Sequence, residues 1–131
     1  MKNVKWFGSM LILLLAGYAF AADMMPAGVQ TRKADSGTVV LADAKGMTLY
    51  TSDRDTGGKS TCNGQCATNW PPLAAAADAK TMGDWTIVTR DDGSKQWAYK
   101  GKPLYTWVKD AKPGDTSGDG MANKNWHIAT P

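Results

Sequence analysis

Residues 101–110 read Gly-Lys-Pro-Leu-Tyr-Thr-Trp-Val-Lys-Asp, and the earlier residues 46–55 read Gly-Met-Thr-Leu-Tyr-Thr-Ser-Asp-Arg-Asp. The two segments share Gly, Leu, Tyr, Thr and Asp at the same offsets, so each of them carries a Tyr-x4-Asp pattern. Trp70 and Trp126 also correspond, with the register shifted by one residue across an intervening loop. A repeat of this length predicts two copies of one supersecondary unit that bury their apolar faces against each other.

The N-terminal residues 1–21 have the pattern of a secretory signal peptide. Two lysines precede an apolar run, and Ala19-Phe20-Ala21 places small residues at the positions that signal peptidases require. The apolar run is too short to span a membrane comfortably. We therefore expect cleavage before Ala22 and export of the remaining chain to the periplasm or the medium.

The charge and composition of the chain exclude some classes of partner. The formal net charge of +3 falls to +1 when Lys2 and Lys5 leave with the signal peptide. So small a charge gives no electrostatic support for binding to nucleic acid. Every acidic residue is Asp and none is Glu. Together with abundant glycine, this bias favours strands joined by tight turns, because Asp prefers turns and caps to helix interiors.

After signal removal the sequence predicts one all-β, antiparallel domain of about six short strands, because turn signals bracket β-branched and aromatic runs. A short helical turn is expected after the cysteine loop, ended by Pro71 and Pro72. A flexible tail is expected before the domain, with room for one edge strand at 29–32. The predicted boundaries are 22–37 for the tail, 38–131 for the domain, 38–73 for repeat 1, 74–84 for a linker and 85–131 for repeat 2. The predicted strands are 38–42, 47–52, 85–90, 96–99, 104–108 and 126–129.

The tyrosines and aspartates of the repeat have two interpretations. In the structural one, each carboxylate follows a strand and accepts amide hydrogens from the loop behind it, while each tyrosine hydroxyl finds a partner inside the fold. In the functional one, these residues approach across a pseudo-twofold axis and line one pocket. The repeat-motif residues that would form this pocket are Tyr50, Asp55, Trp70, Tyr105, Trp107, Asp110 and Trp126.

The motif resembles that of a known family. Tyr105-Thr-Trp107-Val-Lys-Asp110 fits the Tyr-x-(Phe/Trp/Tyr)-x-x-Asp pattern of a family of secreted repeats, often predicted lipoproteins, that has no established function. Residues 50–55 depart from the pattern, with Ser52 at the aromatic position. Residues 62–73, Cys-Asn-Gly-Gln-Cys-Ala-Thr-Asn-Trp-Pro-Pro-Leu, also resemble the family. The resemblance implies a secreted or envelope protein and assigns no catalytic residue. This chain lacks the cysteine that lipidated members have at the cleavage site.

The two cysteines, Cys62 and Cys66, are separated by three residues, with Gly64 between them to permit a tight bend. An oxidising compartment outside the cytoplasm favours a disulfide. The alternative is a periplasmic thiol redox or copper-binding protein, because two thiolates at this spacing can share one Cu(I). The single histidine, His127, lies in the other repeat and is interpreted as structural.

A third hypothesis is a calcium-stabilised secreted module. Asp115, Ser117 and Asp119 match the opening of a calcium loop, in which oxygen atoms at alternate positions surround the cation. The acidic residue expected at the twelfth position is replaced by Trp126, so the set of ligands is incomplete.

The sequence favours a non-catalytic protein that needs no cofactor. No Ser-His-acid arrangement is legible, and His127 has no identifiable partner at the level of sequence. We therefore expect an exported binding or structural module of the cell envelope, whose partner is an envelope component or a small ligand.

Overall fold

The computed structural model describes residues 24–131, and the segment predicted to be a signal peptide lies outside the described residues. Among residues 24–131, no helix is long and apolar enough to cross a membrane. Short strands dominate this part of the chain, and its two helices are brief. The elements are β1 (Val29–Lys33), β2 (Val39–Asp43), β3 (Tyr50–Ser52), α1 (Gln65–Asn69), β4 (Trp85–Thr89), β5 (Lys95–Tyr99), β6 (Lys102–Pro103), α2 (Met121–Lys124) and β7 (Trp126–Ile128).

The strands form small antiparallel sheets that repeat between the two halves of the chain. β1 pairs with β2 over its full length, and β4 pairs with β5 in the same way, with β6 added at the far edge of β5. The turns match as well, because the Ala34 amide donates to the Thr38 carbonyl and the Arg90 amide donates to the Ser94 carbonyl, both at 2.8 Å. The predicted all-β fold made of two tandem copies, with a short helix after the cysteine loop, is confirmed.

The two copies are interlocked by strand pairing at their junction. The Tyr50 amide donates to the Tyr105 carbonyl at 2.8 Å, and the Tyr105 amide donates to the Tyr50 carbonyl at 3.0 Å. β3 of the first copy pairs with β7, the last strand of the second copy. The same exchange recurs at equivalent positions, because the Leu41 amide donates to Ala129 and the Trp97 amide to Leu73, each at 2.9 Å. Each copy therefore completes the sheet of the other.

The interior contains two hydrophobic clusters. The first combines aliphatic residues from both copies with the indoles of Trp85 and Trp97. The second consists of the aromatic residues of the repeat motif and the cysteine loop. The buried members of the first cluster are Leu41, Leu49, Trp85, Trp97, Leu104 and Ala129, and those of the second are Tyr50, Cys62, Trp70, Tyr105, Trp107 and Trp126.

The structure differs from the sequence prediction at the start of the domain. The edge strand suggested at 29–32 is present as β1, which reaches Lys33, so part of the segment 22–37 predicted to be a flexible tail is an ordered strand. Its residues are polar and mostly exposed, so their sequence carries little hydrophobic signal. Backbone pairing with β2 orders them instead, because unpaired amide and carbonyl groups would be costly beside the core.

A second difference concerns residues 104–108, which were predicted to form a strand. The ladder with β5 ends at Pro103, and Tyr105 continues with isolated bridges to Tyr50 and Pro72. The chain leaves the hairpin here because its next partners belong to the other copy. The Thr106 amide, for example, donates to the Pro71 carbonyl at 2.9 Å.

Candidate functional site

The tyrosines of the repeat motif bind the aspartates of the opposite copy. The Tyr50 hydroxyl donates to Asp110 Oδ2 at 2.6 Å, and the Tyr105 hydroxyl donates to Asp55 Oδ2 at 2.5 Å. Both tyrosines are fully buried. The functional interpretation of the motif predicted that these four residues approach each other, and the structure brings them together in crossed pairs.

Loop groups use the second oxygen of each carboxylate. Asp110 Oδ1 accepts hydrogen bonds from the Ser117 amide at 2.9 Å and the Ser117 hydroxyl at 2.6 Å. Asp55 Oδ1 accepts from the amide and the hydroxyl of Thr61, both at 2.8 Å. Each aspartate therefore ties its own long loop to the tyrosine of the other copy, so both of its carboxylate oxygens are used within the fold.

The environment of both tyrosines favours the neutral phenol. Burial, with the hydrogen bond to the Asp110 carboxylate as a second cause, raises the pKa of Tyr50 far above its ordinary value. Burial and the hydrogen bond to Asp55 raise the pKa of Tyr105 to about 12. Ionisation would place a phenolate beside a carboxylate in a poorly solvated core. Both hydroxyls therefore remain hydrogen-bond donors at physiological pH.

Three indoles stack beside the tyrosines. The rings of Trp70 and Trp126 are 3.8 Å apart between centroids and 5° from parallel, and Trp107 stacks on the other side of Trp70 at 4.1 Å. Tyr50 meets Trp70 edge to face at 5.5 Å, and Tyr105 meets Trp126 in the same way at 5.1 Å. Such arrangements are favoured by the quadrupoles of the rings and by the large apolar area that they bury.

The departure of the first copy from the motif has a structural counterpart. Ser52 occupies the position equivalent to Trp107, and it is also buried. Its hydroxyl accepts a hydrogen bond from the Asn125 side-chain amide at 2.9 Å. The indole stack is therefore extended by a third ring on the Trp70 side only, and a polar contact between the copies takes its place beside Trp126.

Gly118 allows the second long loop to approach the aromatic cluster. Its amide donates to the Tyr50 hydroxyl at 3.3 Å. A Cβ atom at this position would lie 2.8 Å from Trp70 Cη2 and 3.0 Å from Tyr50 Cζ. Glycine is therefore required here by the close packing of backbone on rings.

The predicted disulfide between Cys62 and Cys66 is present, with Cα atoms 5.2 Å apart. Cys62 is buried beside the aromatic cluster, and α1 begins within the loop that the disulfide closes. A copper site of two free thiolates would require this bond to be reduced. The structure thus assigns the two cysteines to local cross-linking of the loop.

A buried arginine holds the cysteine loop, and the sequence analysis did not single it out. The Arg90 guanidinium donates to Ser60 Oγ at 2.9 Å, to the Cys62 carbonyl at 2.5 Å and to Gln96 Oε1 at 2.8 Å. Arg90 is 6 % exposed. Its position is equivalent to that of Ala34, so an alignment of the two hairpins would have shown a charge where the other copy has a small buried residue.

The Arg90 charge is linked to the crossed pairs through Ser60. Ser60 Oγ lies 2.6 Å from the Tyr105 hydroxyl, which in turn donates to Asp55. The hydrogen bonds from Arg90 through Ser60 and Tyr105 end at Asp55, and they join the second hairpin to the first long loop. A buried charge with hydrogen bonds to all these partners is costly to disturb.

Two of the three residues of the calcium hypothesis, Asp115 and Ser117, have protein partners for their side chains, and Asp119 is exposed. Asp115 Oδ2 accepts from the amides of Ala111 and Lys112, at 2.8 and 3.1 Å, and the Ser117 hydroxyl donates to Asp110. Among residues 24–131, no group of three or more His, Cys, Asp or Glu side chains is placed to hold a metal ion. The Asp115 carboxylate is thus used to stabilise the turn through backbone amides.

The remaining candidate, His127, lies at the surface. Its Nε2 atom is 2.8 Å from Asp53 Oδ2, and both side chains are about half exposed or more. This contact joins β7 to the residue that follows β3. It is a surface contact between the copies, in agreement with the structural interpretation of the histidine.

An open cleft lies at the junction of the copies, away from the motif residues. Its volume is about 250 Å³. One wall is formed by β3 and the end of the chain after β7, and the other by the turn between β5 and β6. Its lining includes Thr51, Ile128 and Thr130 on the first wall, and Tyr99, Lys100 and Lys102 on the second.

The comparisons with known proteins agree with this organisation. The model of a family described as a secreted repeat of unknown function matches residues 30–74 and again residues 86–130. The first match begins in β1, inside the segment that was predicted to be a tail. Comparisons with curated proteins and with solved structures found no match. The chain therefore belongs to this family of secreted repeats and carries two of them in tandem.

Proposed function

We propose that the protein is an exported, non-catalytic module of the cell envelope, located in the periplasm or outside the cell. In this proposal it binds an envelope component through its surface, while the interlocked repeats keep that surface rigid. Membership of a secreted family supports export. The signal-peptide pattern of residues 1–21 supports it independently.

The crossed tyrosine and aspartate pairs are the observation that carries the proposal. The motif groups that a catalytic site would use for proton transfer are two hydroxyls and two carboxylates. They belong to Tyr50, Tyr105, Asp55 and Asp110. They are hydrogen-bonded to one another and to loop amides, with Tyr50, Tyr105 and Asp110 buried and Asp55 half-buried. Groups used in this way stabilise the fold, which leaves recognition to the surface and its loops.

Cell fractionation tests the export part of the proposal. The full chain is produced in cells, and its N-terminus and location are determined by mass spectrometry and immunoblotting of the fractions. We expect a mature protein that begins at Ala22 and is found outside the cytoplasm. An uncleaved chain retained in the cytoplasm would contradict the proposal.

Co-sedimentation tests the binding part. The exported protein is incubated with isolated cell-wall sacculi and, separately, with vesicles of total membrane lipid. Saturable binding to one of them is expected, and Tyr105→Phe should retain it at a temperature where this variant is folded. Absence of saturable binding to both materials would contradict the proposal. Loss of binding in a Tyr105→Phe protein of unchanged stability would transfer the binding role to the motif residues.

A further inference from the structure

The cleft between the two copies contains two lysines whose ammonium groups have no carboxylate partner among residues 24–131. Lys100 and Lys102 are exposed on the turn that joins β5 to β6. Within residues 24–131, neither ammonium group forms an ion pair with a carboxylate. Two positive charges without a direct ion-pair partner in a concave site contribute a local potential that attracts anions, and Pro131 at the end of the chain lines the same cleft.

Lys100 has an unfavourable backbone conformation, and its side chain contacts an aromatic ring. Lys100 and Gly101 both have positive φ, at 51° and 82°, as in the two-residue turns that join hairpin strands. Asn, Asp or Gly is the usual residue at the place of Lys100, because a longer side chain with a Cβ disfavours this conformation. Its Nζ atom lies 5.2 Å from the centroid of the Tyr99 ring, and that ring also packs against Trp85. A lysine held at an unfavourable backbone position is a reason to look for a role at this place.

The opposite wall supplies hydroxyl groups. Thr51 lines the cleft from β3 and is 9 % exposed, yet its hydroxyl takes part in none of the hydrogen bonds among residues 24–131. Thr130 lines the same wall and is exposed. The Thr51 hydroxyl is not among the buried polar atoms that lack a partner, so it reaches solvent and can hydrogen-bond to water or to a ligand in the cleft.

The equivalent turn of the first copy is organised differently. There Asp43 Oδ1 accepts the amides of Lys45 and Met47, both at 2.9 Å, so a carboxylate of the turn itself satisfies its backbone. In the second copy Tyr99 stands at the equivalent place, and the turn contributes lysines without an acid. The two copies share a scaffold and differ here, which places the positive site at one end of the junction only.

We propose that this cleft binds the carboxylate or phosphate group of a small ligand, with Lys100 and Lys102 as its charge partners and the Thr51 hydroxyl as an additional donor. The proposal rests on the binding role proposed above and names the chemistry of the ligand. An oxyanion would receive charge-assisted hydrogen bonds from both walls of the cleft. The volume of about 250 Å³ suits a molecule no larger than a single sugar or a glycerol phosphate.

Amide chemical-shift mapping by NMR on the full exported protein tests the proposal. The probes are glycerol 3-phosphate and glucuronate, titrated separately at constant ionic strength with chloride as the reference anion. Saturable shifts at Thr51, Lys100, Lys102 and Thr130 are expected with at least one probe. The probe that binds more tightly identifies the phosphate or the carboxylate as the preferred group. Absence of saturable shifts at these residues with both probes would overturn the proposal.

Charge-removing variants make the test specific. Lys100→Asn removes the ammonium and keeps a residue that tolerates positive φ, so the turn should fold. Lys102→Gln removes the second charge. Each change should weaken probe binding about tenfold, the size of one lost charge-assisted hydrogen bond. Lys45→Gln is the matched control in the equivalent turn and should leave binding unchanged. Equal affinities of the Lys100, Lys102 and Lys45 variants would overturn the proposal.

The outcomes also separate this inference from the proposed envelope function. If both probes bind as expected and sacculi and vesicles do not, the cleft stands and the envelope function fails. If the envelope material binds equally well to Lys100→Asn and the wild-type protein, and the probes do not bind, the envelope function stands and the cleft proposal fails.

Discussion

The Tyr50 hydroxyl hydrogen-bonds to Asp110, sixty residues away, and does not bind Asp55 of its own repeat. Reciprocally, the Tyr105 hydroxyl donates a hydrogen bond to Asp55 Oδ2 at 2.5 Å. The motif that defines each copy is therefore completed only when the other copy is folded against it. This exchange joins the sequence repeat directly to the cooperativity of the fold.

A double-mutant cycle on Tyr50→Phe and Asp110→Asn should reveal a coupling free energy of about 2 kcal/mol, the scale of a hydrogen bond to a charged group. The measurement is the free energy of unfolding in denaturant for the wild-type protein, both single variants and the double variant. The control cycle pairs Tyr50→Phe with Asp55→Asn, which belong to one repeat and share no hydrogen bond. A larger coupling in the control cycle would contradict the crossed arrangement.

Tyr105→Phe alone should lower the free energy of unfolding by about 1 kcal/mol, because it removes one buried hydroxyl and its hydrogen bonds. The hydroxyl contacts both Asp55 and Ser60, so its hydrogen bonds to two residues of the first long loop are lost together. Denaturant unfolding measures the change. Unchanged stability would show that the hydroxyl does not contribute to the fold.

Alkaline pH should unfold the protein through its buried phenols. The pKa of Tyr105 rises to about 12 in the folded state, from an unfolded value of about 10. The folded state therefore favours the protonated phenol, so this contribution to stability is complete below about pH 10 and is lost as the pH rises towards 12. The raised pKa of Tyr50 acts in the same direction.

A spectrophotometric titration of tyrosinate, recorded together with circular dichroism, measures this effect. Part of the tyrosine absorbance change should coincide with unfolding above pH 10, and Tyr105→Phe should make that part smaller. Complete ionisation of every tyrosine at an ordinary pH in the folded protein would contradict the prediction.

Gly118→Ala should destabilise the fold by about 2 kcal/mol, the typical cost of overpacking a core. The added Cβ would lie 2.8 Å from Trp70 Cη2, an atom that phenylalanine lacks. The same substitution in a Trp70→Phe background should therefore cost less. Unfolding free energies of the four proteins provide the comparison, and an equal cost in both backgrounds would exclude this steric explanation.

The short α2 segment is strained in a way that can be tested. Ala122 and Asn123 have φ of 55° and 61°, and Lys124 follows at 68°, whereas left-handed residues usually occur singly. Ala122→Gly should stabilise the protein by about 0.5 kcal/mol, because relief of strain exceeds the added entropy of the unfolded chain. The matched control is Ala67→Gly in the right-handed α1, which should cost about 1 kcal/mol. Thermal unfolding of both variants would show whether the signs differ as expected.

The tandem repeat and the local disulfide could be predicted because both are written in spacing and residue identity. Cys62 and Cys66 are so close in sequence that their disulfide can be predicted without knowing the fold. The partner of each motif tyrosine could not be predicted, since Tyr50 lies only five residues from Asp55 and local pairing is equally compatible with the sequence. Long-range geometry decides between these partners.

Arg90 and β1 show the limits of sequence patterns in another way. A charged residue at the end of a strand is usually exposed. The burial of Arg90 is tolerable because a loop supplies the Cys62 carbonyl and the Ser60 hydroxyl, and β5 supplies Gln96 Oε1. The strand Val29–Lys33 has a polar sequence and owes its order to backbone pairing. The loop partners of Arg90 are about thirty residues away in the chain, whereas β1 is ordered by the strand that follows it.

The exchange of strands and hydrogen bonds between the halves also has an evolutionary consequence. A single-copy ancestor would have found the missing partner of its tyrosine on a second molecule, so it would have been an obligate homodimer with twofold symmetry. Duplication and fusion of the gene would have converted that dimer into one polypeptide. In the present chain the two halves differ at positions such as Ser52 and Arg90, while strand pairing and crossed hydrogen bonds join them.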